Sequence, residues 1–301
     1  MMAPMWWRNG LAASALVSAI VLVLVVAGCS WRVDTPPDPF RTPSPTTVLR
    51  DKVAAAEAAV AGEAKNATSD QAAAAAAEAA AVPIRLAALG GVSPTSSPRP
   101  SLGFSDAVDW AMETTGDCSV EASGEPLGAL CTSILLSHSI IAATDPNAVT
   151  AQATIVVGDD DGDVGVIAQL ALEHDKTRAL FETIAARAKG GERTRALEQS
   201  ARQRAIVTQL LALDGVENRT QPSYDVPAAS VATAAAREAT ARGALVALGE
   251  AYAAYMVKAQ VDAHSWVFEM ALEQYDAAVP YGLTAAQVPA LPGGVEPSAA
   301  P

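Results

Sequence analysis

Alanine sets the limits of this fold. The chain carries uninterrupted alanines from Ala72 to Ala77 and again from Ala79 to Ala81, with Glu78 as the only charge in the run. Alanine is the strongest helix former, and its methyl lets neighbouring helix backbones approach closely. Half of the residues are hydrophobic, yet only 5% are aromatic, so small side chains make up much of the apolar total. The expected class is all-α, and 301 residues leave room for one large or two modest domains.

The amino terminus is an address. Arg8 precedes an apolar run from Leu11 to Val26, close to the ~15-residue upper end of a signal-peptide core. The run closes on Val26-Ala27-Gly28-Cys29, which has the form of a bacterial lipobox. Small residues at 27 and 28 let the backbone enter a peptidase cleft, and the Cys29 thiolate can take a diacylglyceryl group as a thioether. Lipidation at Cys29 is therefore predicted, with a spanning helix as the alternative that the apolar length falls short of. Two acyl chains anchor a protein stably where one is marginal. A net charge of −13 and a pI near 4.6 argue against nucleic acid as a partner and against electrostatic adhesion to anionic lipid. Membrane contact is expected through the lipid alone. The remaining cysteines, Cys118 and Cys131, form an even pair outside the cytoplasm and are expected to be a disulfide.

Composition divides the mature chain. Residues 1–28 read as the lipoprotein signal peptide and 29–47, rich in Pro, Thr and Asp, as an extended tether. Residues 48–145 read as an N-terminal helical region. In it, Leu49, Val53, Ala56 and Val60 recur at helical spacing, and a second helix follows the Thr68-Ser69-Asp70 cap toward Pro83. After a Pro and Ser loop at 92–101, helices are expected over 105–113 and 126–142, the latter with His138 on its apolar side. Residues 146–163 form an acidic linker with a β-like stretch at 150–157. Its Asp159-Asp160-Asp161-Gly162-Asp163 cluster fails the calcium-loop template, because Val164 and Leu170 stand where Gly and Glu are needed. An acidic cap at a helix start is the reading retained.

Residues 164–293 predict four helices in close order, over 164–188, 192–213, 228–259 and 261–278, and 294–301 a disordered tail. This half resembles the ferritin-like four-helix domain of unknown function found in envelope lipoproteins of high-GC Gram-positive bacteria. The resemblance rests on Ala171-Leu172-Glu173-His174 and the Pro222-Ser223-Tyr224-Asp225-Val226-Pro227 turn. It rests also on Arg237-Glu238 with Tyr252 and Tyr255, and on Trp266 with Leu291-Pro292-Gly293. It implies an antiparallel four-helix bundle preceded by a smaller helical region with one disulfide.

Dimetal sites in such bundles need a Glu on each of two helices and Glu-x-x-His on the other two. Here Glu173 and Glu238 match the lone glutamates, but Glu198 has Ala201 three residues on and His264 has Val261 three before it. No Glu-x-x-His survives. Glu238 is expected on an inward stripe with Val231, Ala235, Leu245, Tyr252 and Met256, satisfied by Arg242 or a tyrosine hydroxyl. His264 is expected on an inward stripe of the fourth helix as a hydrogen-bonded core histidine, and His138 and His174 likewise. No cofactor is expected, and no nucleophile elbow, phosphate loop or zinc motif occurs. The expected role is a non-catalytic binding or structural module, with an envelope protein or small ligand as partner. The runner-up is a degenerate metal or redox bundle using Glu173, Glu238 and His264.

Overall fold

The computed structural model describes residues 43–91, 103–145 and 163–294. Among the described residues there are eight α-helices and no strand, as the alanine content predicts. They are α1 (Pro45–Glu63), α2 (Ala72–Ala88), α3 (Phe104–Glu121), α4 (Pro126–Ala143), α5 (Val164–Arg187), α6 (Gly190–Leu211), α7 (Ala234–Ala259) and α8 (Trp266–Ala278). The signal peptide, most of the tether, the β-like stretch and Asp159 to Asp161 lie outside the described residues.

Several boundaries differ from the sequence reading for local reasons. The tether ends earlier than expected, because Pro45 opens α1 at a position where its missing N–H is an orphan in any helix. Helix α2 does not stop at Pro83 but continues to Ala88. Pro83 is exposed, and so is Ala79, whose carbonyl loses its donor, so water can serve that carbonyl. The packing of Val82, Arg85, Ala88 and Leu89 outweighs the lost bond. Helix α3 outruns the expected 105–113, because Thr115 returns its hydroxyl to the Ala111 carbonyl and Thr114, Cys118 and Ser119 are buried. The third bundle helix is broken near its start into a 3-10 turn, Ala228–Val231, and α7, which Thr233 caps by accepting from Ala236 N at 3.1 Å. Gln260 turns left-handed after α7, and Ser265 caps α8, so the fourth helix begins at Trp266 rather than 261. Asp163 does cap α5, accepting from Gly165 N at 3.0 Å and Val166 N at 3.3 Å.

The helices pack in neighbouring pairs. The two-residue link between α5 and α6 makes them an antiparallel hairpin; α7 and α8 form a second, and α5 also lies on α7. Their shared core includes Ile167, Phe181, Leu210, Leu245, Met256 and Tyr275. Helices α1, α2 and α3 build smaller apolar clusters with α4. Helix α4 belongs to both halves: Leu130, Cys131 and Ile134 pack toward α1 and α3, while Leu136 and Ile140 join the bundle core. It is long and apolar enough to cross a membrane, but 67% of it is buried inside the protein, as in a core helix.

Gly249 sets the approach of α7 to α8. A Cβ there would lie 2.6 Å from the Tyr275 ring, which is fully buried and hydrogen-bonded to Glu250. Gly249→Ala should therefore destabilise the fold by about 2 kcal/mol, since overpacking at the upper end of ~1–3 kcal/mol exceeds the ~1 kcal/mol gained in helix propensity. Urea denaturation checks this, and an unchanged or raised midpoint would contradict the packing described.

Candidate functional site

The structure separates the residues that the metal reading would join. Glu173 pairs locally on α5, accepting from Lys176 Nζ at 2.8 Å and Gln169 Nε2 at 2.7 Å. Glu238 is not on an inward stripe: it and Ala235 are exposed, whereas Val231, Leu245, Tyr252 and Met256 are buried. The first turns of α7 stand clear of the core, so its inward face begins farther along the helix. Arg242 does not neutralise Glu238 as expected but donates to the carbonyls of Tyr281 at 3.1 Å and Gly282 at 3.4 Å. His264 is exposed and lies before α8, its backbone N–H held by the Asp262 carboxylate at 2.9 Å. Among the described residues no group of three or more His, Cys, Asp or Glu is placed to hold a metal. Cys118 and Cys131 are joined in a disulfide between α3 and α4, with both side chains fully buried. Cys29 lies outside the described residues.

A different constellation occupies the N-terminal half. Glu57 of α1, Glu78 and Arg85 of α2, and His138 of α4 meet in the interior, each 0 or 1% exposed. His138 Nε2 donates to Glu57 Oε1 at 2.6 Å and Nδ1 to Glu78 Oε1 at 2.8 Å. Arg85 Nη1 donates to the other oxygen of each, at 3.2 Å for Glu57 and 2.7 Å for Glu78. An ionised carboxylate can only accept, so both ring nitrogens donate and His138 is a histidinium. The two glutamates hold it against Arg85 Nη1, which lies 3.2 Å from Nδ1 and 3.0 Å from Nε2. Two carboxylates and two cations then sum to zero, which is what lets a low-dielectric interior hold them. Burial pushes the Glu57 and Glu78 carboxyls up, but the charge and hydrogen bond of His138, and then Arg85, hold both below the ordinary 4.5. Burial and then Arg85 push His138 down, and the two glutamates outweigh them, lifting it above the ordinary 6.5.

Arg85 also reaches beyond the cluster. Its Nη2 donates to Ser137 Oγ at 2.7 Å and its Nε to the Ala290 carbonyl at 3.2 Å. Ser137 passes its own hydroxyl to the Pro289 carbonyl, and Ser133 donates to the Pro292 carbonyl, both at 2.7 Å. Gly293 N donates to Glu250 Oε2 of α7 at 2.9 Å. Gly293 has φ +84° and lies where a Cβ would come within 2.5 Å of the Ala253 carbonyl oxygen, so only glycine suits both the conformation and the approach. The chain's last described stretch, 284–294, is thus a strap fastened to α2, α4 and α7.

The bundle interior holds a second polar chain, with one residue from each helix. Tyr252 of α7 donates to His174 Nε2 of α5 at 2.8 Å, and His174 Nδ1 donates to Gln203 Oε1 of α6. Gln203 Nε2 continues to Gln274 Oε1 of α8 at 3.0 Å. Here burial dominates and the Gln203 bond opposes it only in part, so His174 falls to about 4 and is neutral.

Both core histidines are hydrogen-bonded as expected, but the sequence reading missed that one is charged and overlooked Glu57 and Arg85. The signal was present. Glu57 is in phase with Val53 and Val60, Glu78 and Arg85 are seven apart on the buried stripe of Ala75, Val82 and Leu89, and His138 is in phase with Cys131 and Ile134. Two acids and two bases on inward faces of three helices are a neutral set awaiting assembly.

Linkage fixes the pH behaviour. The glutamates' contribution is full above 4.5 and is lost as pH falls through their lowered folded values. That of His138 is full below 6.5 and is lost as pH rises through its raised folded value. The cluster therefore stabilises most between 4.5 and 6.5, whereas the contribution of neutral His174 is full above 6.5 and fades toward 4. Imidazole NMR titration should find His138 protonated beyond pH 6.5 and His174 neutral down to about 4; a His138 midpoint at or below 6.5 contradicts the histidinium. Arg85→Met should cost about 3–5 kcal/mol in urea denaturation, because it leaves two buried carboxylates facing one cation. A loss under ~1 kcal/mol, the worth of an exposed pair, would show that Arg85 is not the buried centre.

Comparison of the chain with family models, with curated proteins and with solved structures finds no match.

Proposed function

We propose that the chain is an exported lipoprotein, anchored through Cys29 at the extracytoplasmic face of the cytoplasmic membrane, with a helical body that is a non-catalytic binding or structural module. The observation that carries the reading is the buried Cys118 to Cys131 disulfide. Such pairs form and persist in oxidising compartments, which agrees with the Val26-Ala27-Gly28-Cys29 lipobox.

We infer further that α5 to α8 are a ferritin-like bundle without the metal-site pattern. Bundles of that kind place ligands on inward side chains from all four helices. In this chain the inward polar residues of the four helices, His174, Gln203, Tyr252 and Gln274, bond to one another. The residues behind the resemblance likewise serve the packing: Tyr224 donates to Asp175 at 2.7 Å, Arg237 grips Glu192 at 2.6 and 2.9 Å, and the Trp266 ring meets Tyr252 edge-on. A metal or redox bundle on Glu173, Glu238 and His264 has no comparable support.

Labelling with radioactive palmitate tests the anchor. Wild type should incorporate label and fractionate with membranes, and Cys29→Ala should incorporate none and accumulate as unprocessed precursor. Label in the variant would overturn the lipoprotein reading.

A further inference from the structure

The strap covers apolar surface. Ala285 is buried against Ala77 of α2 and Ile141 of α4, with Val288 packed on the same cluster, and Leu291 packs on the cluster that contains Leu130 and Cys131. Four side chains hold its backbone: Arg85, Ser133, Ser137 and Glu250. Arg85 is the one shared with the buried charge cluster. We propose that the strap is a pH-gated cover: it is fastened over α2 and α4 while His138 is a histidinium between Glu57 and Glu78, and it is released when that histidine loses its proton.

The release follows from counting donors. A neutral imidazole has one N–H, so one glutamate then faces a nitrogen lone pair at 2.6 or 2.8 Å and the cluster carries one uncompensated negative charge. Arg85 supplies the only other donors to those carboxylates in the cluster. Its Nη1 already lies 3.2 Å from Nδ1 and 3.0 Å from Nε2, so the freed lone pair and the unpaired carboxylate both draw the guanidinium toward the ring. The groups it gives up are the Ala290 carbonyl at Nε and Ser137 at Nη2. Ser137 in turn holds the Pro289 carbonyl, so two adjacent strap anchors weaken together.

No other charged group described around α4 substitutes for His138. The acidic residues of α3, which are Asp106, Asp109, Glu113, Asp117 and Glu121, are all exposed. Helix α7 turns Glu250 to Gly293 and Tyr275, and α8 turns Glu273 to Arg202. Asp276 of α8 is raised to about 6 by burial and by Glu273.

Hydrogen–deuterium exchange of the 284–294 segment in the full detergent-solubilised chain, normalised to the intrinsic exchange rate from pH 6 to 9.5, tests the cover. Protection should fall about tenfold per pH unit from the ordinary 6.5 of a released histidine up to the midpoint at which NMR sees His138 titrate, and level off above it, as a one-proton linkage requires. Asp276→Asn should leave that profile in place. His138→Gln, which is uncharged at every pH, should expose the segment already at pH 6. Unchanged protection across the range, a fall that levels off more than one unit from the His138 midpoint, or wild-type protection in His138→Gln each overturns the proposal. If the variant does not fold, the wild-type levelling-off point against the His138 midpoint decides it alone.

Discussion

The guanidinium of Arg85 is the interaction on which the N-terminal half depends. It is fully buried, and no solvent can screen or hydrate it. Its donors are spent on two glutamates, a serine and a backbone carbonyl 205 positions away in sequence. A buried cation tolerates such a place only when its counter-charges are held in good geometry, and here three helices and the strap supply that geometry. Alanine-rich helices offer little side-chain shape to specify how they pack. The charged cluster supplies what alanine lacks, because the observed arrangement of α1, α2 and α4 pairs every charge.

The strap extends this constraint to the bundle. Its carbonyls are held from α2 and α4, and its Gly293 amide from Glu250 of α7. Glu250 also accepts from Tyr275 of α8, whose ring fits only because residue 249 is glycine. Helix α4 makes the other connection, with one face in each core and the disulfide fixing it to α3. The two halves are thus joined by a shared helix and by a returning segment from the far end of the chain.

Two buried histidines show how environment sets charge. His138 has a carboxylate at each ring nitrogen and holds its proton despite burial and a neighbouring guanidinium. His174 has a tyrosine and a glutamine, neither of which can compensate a charge, so desolvation decides and the ring is neutral. The same residue type, equally buried, is an ion-pair partner in one half and a hydrogen-bond relay in the other.

The sequence by itself determined the helical class, the pairing of Cys118 with Cys131 and the hydrogen-bonded character of both core histidines. Local physics carries these: alanine propensity, cysteine parity, and the phase of a polar residue on an apolar stripe. It also determined caps such as Asp163, whose side chain needs only the next three residues. Only the tertiary structure decided that Glu238 and His264 face outward, that α2 runs on through Pro83, and that Glu57, Glu78, Arg85 and His138 meet. Helical phase says that a side chain points inward but not what it finds there. The partners of Arg85 lie 28, 7, 52 and 205 residues away, at distances that chain-local rules do not span.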